Sequence, residues 1–202
     1  MTSDIMAKLF CKFSIALISC TLCFWSTQLF AASISLQAGT FFGTGGSFAA
    51  TSDLNFGFID YTPTHTGRVR IHPNGNVTTH GASGLEPTGG HTAGYAEYLQ
   101  NTGNVEISCT QRIWLADTNG NRLRVNQIRL SFGTPQSWGN SERCRGTGTV
   151  IETYDLTADP AHLLRIYVGG QLRLNNDAIV APGTYNSSNP SGQSITIQVT
   201  VI

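Results

Sequence analysis

Apolar and polar side chains alternate most regularly at the C-terminal end, where Ile195, Ile197, Val199 and Val201 are interleaved with Ser194, Thr196, Gln198 and Thr200. A period of two is the signature of a strand with one buried face. Upstream, Leu164, Ile166 and Val168 alternate with Leu163, Arg165 and Tyr167. The pair Gly169-Gly170 predicts a bend or bulge, after which Leu172 and Leu174 resume the pattern. Ala181-Pro182-Gly183-Thr184-Tyr185 and Asn189-Pro190-Ser191-Gly192 are turn material. Residues 163–202 therefore read as strand, strand, turn, short strand, turn, long strand, and the rest of the chain is organised around them.

The same reading applied from the other end predicts a first strand over Ser33–Ala38 and a glycine-rich stretch over residues 39–47. The next strand covers Asp53–Ile59, with Leu54, Phe56 and Phe58 on one face. Asn74-Gly75 joins two alternating runs into a hairpin with Val69, Ile71 and Val77 inward, because both turn residues tolerate positive φ. A second hairpin is predicted from Tyr95–Leu99 and Val105–Cys109, with Val105, Ile107 and Cys109 inward. A third joins Ile113–Ala116 to Arg122–Phe132 across Asp117-Thr118-Asn119-Gly120. In its second strand the apolar parity changes between Val125 and Ile128, so Asn126-Gln127 predicts a bulge or break. Thr149–Tyr154 reads as a strand and Ala158–Leu164 as room for one helical turn.

Outside the N-terminal leader no window of eleven residues carries helical periodicity. About ten short strands punctuated by turns predict an all-β fold, a sandwich of two antiparallel sheets in one domain.

The leader changes what is to be counted. Lys8 and Lys12 precede the apolar run Phe13–Trp25, and Leu29-Phe30-Ala31-Ala32-Ser33 supplies small residues, the order of a secretory signal peptide. Residues 1–31 are expected to be that peptide, with cleavage after Ala31 or Ala32. Residues 32–50 would be an N-terminal strand and flexible linker, and 51–202 the secreted domain. The run is shorter than the about 20 apolar residues of a membrane span. An uncleaved anchor and a lipoprotein site at Cys20, after Leu17-Ile18-Ser19, are the alternatives. Removing the leader removes both lysines and leaves ten arginines against eleven acidic residues. A near-neutral chain whose arginines come in pairs, Arg68/Arg70, Arg122/Arg124 and Arg143/Arg145, offers no nucleic-acid footprint and no polybasic membrane patch. Cys109 and Cys144 remain, an even number in an exported chain, and are predicted to form a disulfide.

Candidate chemistry is sparse. His65, His72, His80, His91 and His162 make no metal-ligand spacing, although His72 and His80 could meet across a hairpin. Asp117–Asn121 lacks the helix and closing glutamate of a calcium loop. There is no Gly-x-Ser-x-Gly elbow, and the glycines at 43–46 are not followed by Lys-Ser/Thr. The expectation is a protein that is not an enzyme, with no catalytic residues, no metal and no cofactors. Phe41, Phe42, Trp114 and Trp138, in or near loops, are the candidate ligand contacts, with capping of the core as their alternative role.

Asp53-Leu54-Asn55-Phe56-Gly57-Phe58-Ile59, the run Gly67–Thr78, and the endings Tyr167–Leu172 and Pro182-Gly183-Thr184-Tyr185 resemble a bacterial secreted β-rich domain family of unknown function. That family is in turn similar, distantly, to pilus and spore-coat-like surface subunits. The resemblance implies an immunoglobulin-like sandwich and an exported envelope or cell-surface structural protein, secreted, periplasmic or surface-held. The short run 33–38, ahead of its glycine-rich linker, can pair with the edge of its own sheet or add to that of a neighbour, so the partners expected are itself or other envelope proteins by strand addition, with a glycan held by the aromatics as the adhesin alternative. The Cys109 to Cys144 region, with Trp114 and Trp138, departs from the family pattern.

Overall fold

The computed structural model describes residues 28–34, 36–38, 47–61, 66–81, 87–99, 103–158, 161–174 and 183–202. Sixteen strands run through them. The first half holds β1 (Gln28–Ile34), β2 (Leu36–Ala38), β3 (Ser47–Ser52), β4 (Leu54–Tyr61), β5 (Gly67–Ile71), β6 (Val77–Gly81), β7 (His91–Thr92) and β8 (Gly94–Leu99). The second holds β9 (Asn104–Cys109), β10 (Ile113–Ala116), β11 (Arg122–Phe132), β12 (Glu142–Arg143), β13 (Glu152–Asp155), β14 (Leu163–Leu174), β15 (Gly183–Asn186) and β16 (Ile195–Val201). Short 3-10 turns at Trp138–Asn140 and Leu156–Ala158 are the helical elements among the described residues.

The fold is all-β. Twelve strands form a large sheet along the order β3-β8-β14-β11-β10-β15-β1-β4-β7, with β5, β6 and β12 attached. Four form a small sheet, β13-β9-β16-β2. The sheets curl into a half-barrel, one large and one small. Both contribute to one apolar cluster: Leu54, Ile71 and Leu172 of the large sheet and Ile107, Ile197 and Val199 of the small one all belong to it.

β14 is the spine, as the C-terminal pattern predicts. On one side β11 follows it from Phe132↔Ile166 to Arg124↔Arg173. On the other, β8 pairs its first half and the β5–β6 hairpin its second. The expected bend at Gly169-Gly170 is absent, and the strand runs through. Close approach explains the glycine instead: a Cβ on Gly169 would lie 2.5 Å from the Ile71 carbonyl and 2.7 Å from the Pro73 ring. The register shift falls on β11, between Val125 and Gln127, where the parity change predicts it.

Three expectations need correction. Phe58 does not share a face with Leu54 and Phe56, which are buried while Phe58 is 52% exposed. Gly57 adopts φ +73°, a bulge that flips the parity and buries Ile59 instead. The strands Tyr95–Leu99 and Val105–Cys109 do not pair with each other. β8 lies in the large sheet and β9 in the small one, so the chain changes sheet and each buries its apolar side in the shared core. Finally, the run from Ser33 to Ala38 is two strands in two sheets, and Ser47–Ala50 of the expected linker belongs to β3. Ladder partners far along the chain decide these cases, and local alternation does not specify them.

The hairpin turns hold in kind and differ in detail. His72 N–H bonds the Asn76 carbonyl at 2.8 Å and Gly75 N–H the His72 carbonyl at 2.9 Å, with positive φ at Gly75 alone. Pro73-Asn74-Gly75 is thus a three-residue turn ending in a left-handed glycine. Thr118-Asn119-Gly120 repeats it, with φ +85° at Gly120.

Candidate functional site

The two cysteines sit where the sheets meet. Cys109 ends β9 in the small sheet, and Cys144 directly follows β12, which pairs with β11 in the large one. They form a disulfide, with Cα atoms 5.2 Å apart and a sequence separation of 35. Both are fully buried. Backbone bonds flank the bridge, from Cys144 N–H to the Ile128 carbonyl and from Gly146 N–H to the Cys109 carbonyl. The segment after β11 is therefore tied down at its end by covalent and backbone contacts together.

Trp138 is tied down at its centre. Arg70 and Arg129 each place a guanidinium carbon 5.2 Å from its ring centroid, and the His72 ring lies 5.8 Å away. Trp138 N–H donates to His72 Nδ1 at 3.3 Å, and Arg129 donates to the carbonyls of Trp138 and Ser141. With Nδ1 accepting, the neutral ring carries its proton on Nε2, which donates to Thr78 Oγ1 at 3.0 Å. Desolvation and then the Arg70 charge hold His72 below its ordinary pKa. Desolvation also lowers Arg70 and Arg129, followed by like charge from Arg68 and Arg129 on the first and from Arg143 on the second. Trp138 thus clamps the loop to the β5–β6 hairpin by stacked cations.

Trp114 differs. It lies on β10, the strand predicted over Ile113–Ala116, 36% exposed, with the Arg124 guanidinium carbon 5.9 Å from its ring centroid. The aromatics Phe41 and Phe42 lie outside the described residues, as do His65 and Cys20.

The histidine pair does not assemble. Across the hairpin Arg68 faces His80 and Arg70 faces Thr78, so His72 and His80 are two rows apart. His80 Nε2 contacts Arg70 Nη1 at 3.1 Å. Among the described residues no three His, Cys, Asp or Glu side chains group as metal ligands. Asp117 serves its own turn: Oδ1 accepts from the Asn119 and Asn121 amides at 2.9 and 2.8 Å, and Oδ2 from the Asn121 side chain at 2.7 Å. Burial alone would raise its pKa, but these bonds from Asn121 and Asn119, with one from Gly120, hold it below the ordinary value.

The N-terminal segment touches both sheets. β1 lies between β4, antiparallel, and β15, parallel. β2 adds in parallel to β16, Leu36 opposite Ile195 and Ala38 opposite Ile197. The expected cleavage point, after Ala31 or Ala32, falls inside β1. Among the described residues no helix is long and apolar enough to cross a membrane.

Two curled sheets, a buried disulfide between them and a cation-clamped tryptophan define an all-β domain. Residues 47–201 match the family described as a domain of unknown function, DUF4402, and the chain belongs to that family. No curated protein and no solved structure matches it. The family match begins after β2, so the segment that enters both sheets precedes the matched region.

Proposed function

We propose that the protein is an exported, non-enzymatic structural subunit of the cell envelope or surface that associates by strand addition. The observation that carries this reading is the placement of β1 and β2. After the expected cleavage, Ala32–Ile34 still pair with Gly57, Asn55 and Leu54 of β4, Ala32 and Ser33 with Tyr185 and Asn186 of β15, and Leu36–Ala38 with β16. Strand ladders are the same whether the added strand comes from the same chain or a neighbour, so such a segment can be exchanged. The disulfide suits an oxidising compartment.

The test is size-exclusion chromatography with light scattering on the mature protein over a wide concentration range. Dilution-resistant oligomers are expected. A monomer at every concentration, with residues 33–38 protected from hydrogen exchange, overturns strand exchange.

A further inference from the structure

The expected export cleavage cuts a strand that the fold uses whole. Before it, β1 fills the space between β4 and β15, with Gln28 opposite Tyr61, Leu29 opposite Asp60, Phe30 opposite Ile59 and Gly183, and Ala31 opposite Phe58 and Thr184. Cleavage between Ala31 and Ala32 removes these four residues and leaves Ala32–Ile34 in their ladder. The exported chain then has a slot one strand wide inside its large sheet, walled by Phe58–Tyr61 on one side and by Gly183 and Thr184 on the other. Phe58 spends its N–H and C=O on Gly89 and Thr88, on the far side of β4. By alternation Ile59 turns its own toward the slot, where they are a template for an added strand. The slot ends at the new α-amino group of Ala32.

The walls set what fits. Ile59 is fully buried, so the residue opposite it shares its face and enters the core, a position for an apolar side chain. Phe58 is 52% exposed, so the residue opposite it lies on the outer face, where that ring can lie against it. With β4 antiparallel to β1 and β15 parallel to it, the ladders accept a strand of either direction. The Ala32 ammonium decides between them. A chain running in the sense of β1 reaches it with its C-terminal end and has to turn out of the sheet unless it stops there. One that stops brings a carboxylate to the ammonium, a charge-assisted pair of chain ends. The buried carboxylate of Asp117, beside Gly183, is already bonded within its own turn, so the ammonium keeps its charge for an incoming partner. The protein's own C-terminus is engaged elsewhere: Val201 pairs with Val105, and Ile202 N–H bonds the Asn104 carbonyl.

We propose that the exported protein binds in this slot the C-terminal end of another polypeptide, an extended segment with an apolar next-to-last residue and a free carboxylate against Ala32. The proposal rests on the export step of the reading above and not on self-exchange, which uses residues 33–38.

The experiment uses a fluorescein-labelled peptide of residues 26–31, which has Phe30 next to last and ends at Ala31. Anisotropy is followed as the chain beginning at Ala32 is added to the free-acid peptide, to its C-terminal amide, and to a peptide carrying Phe30→Asp. A chain beginning at Gln28, whose slot is filled by its own residues, is the control. The acid should bind the Ala32 chain saturably and raise its urea midpoint by mass action on the native state. The amide should bind on the order of tenfold more weakly. The Phe30→Asp peptide and the Gln28 chain should give no binding. The proposal fails if the acid does not bind, if the amide binds equally, or if the Gln28 chain binds as the Ala32 chain does. It fails as well if the intact mass of native protein shows residues 28–31 retained, an outcome separate from whether the subunits self-associate.

Discussion

The Asn55 side chain accepts a hydrogen bond from the Gly57 amide at 2.9 Å, closing a bulge in which Gly57 is left-handed and Phe56 is fully buried. Opposite this bulge the pairing of β1 moves from Ala32↔Gly57 to Ser33↔Asn55, so Phe56 is the extra residue. A Cβ at Gly57 would lie 2.2 Å from the Gly89 carbonyl oxygen. The Asn-Phe-Gly run thus has a mechanical meaning, a capped bulge that turns the strand and admits the backbone of residues 87–90.

Gly57→Ala should destabilise the domain by more than the about 1–2 kcal/mol of a left-handed alanine, because the contact with Gly89 adds to it. Gly75→Ala is the internal control: φ is +82° there with nothing within 4 Å of the added carbon. Urea unfolding of both variants separates backbone strain from crowding. Equal midpoints would show that the Gly89 contact relaxes freely.

Reading the Cys109–Cys144 bridge as the cross-link between sheets gives a second expectation. Replacing both cysteines with serine should cost about 3 to 4 kcal/mol, the chain-entropy value for a loop of this length. Unfolded, unreduced mature protein should show no titratable thiol. Two thiols would remove the bridge from the account.

The His72 contact makes part of the stability pH-dependent. The folded ring is held below the ordinary value of 6.5 and accepts from Trp138 N–H, so it favours the neutral form. Its contribution is present above the unfolded value and is lost as pH falls through the lower folded value. Trp138 fluorescence and the unfolding midpoint should fall together below pH 6.5, and His72→Phe should abolish that step. A step of unchanged size in the variant would assign it to another group.

Much of this was legible in the sequence because strand faces are a local property. Leu164, Ile166 and Val168, or Ile195, Ile197 and Val199, announce their burial by alternation alone, and Asn126 marks its bulge by a parity change. Which strand pairs with which is not local. Nothing in Tyr95–Leu99 or Val105–Cys109 states that they belong to different sheets, and Gly57 could not be known as left-handed before its partner Gly89 was placed. Trp138 looked like a free loop aromatic until Arg70 arrived from a hairpin far upstream.

The N-terminal segment gives the last expectation. β1 separates β4 from β15, and β2 covers one side of β16. A chain beginning at Ser47 keeps the whole family region and loses what one beginning at Ala32 retains of both strands, leaving Leu54, Asn55, Gly57, Tyr185, Asn186 and Ile195–Ile197 without the ladder partners they have here. Unpaired edges are templates for other chains. The shortened protein should therefore unfold at lower urea and aggregate faster than one beginning at Ala32. A synthetic peptide of residues 32–38 added in excess should raise its unfolding midpoint, because binding to the native state alone stabilises by mass action. Rescue would be strongest if the peptide keeps the parallel register of Leu36 on Ile195, which an isotope-labelled peptide can report by its contacts. Failure of rescue, with the shortened chain as stable as the longer one, would make β1 and β2 dispensable and sink exchange as the basis of assembly.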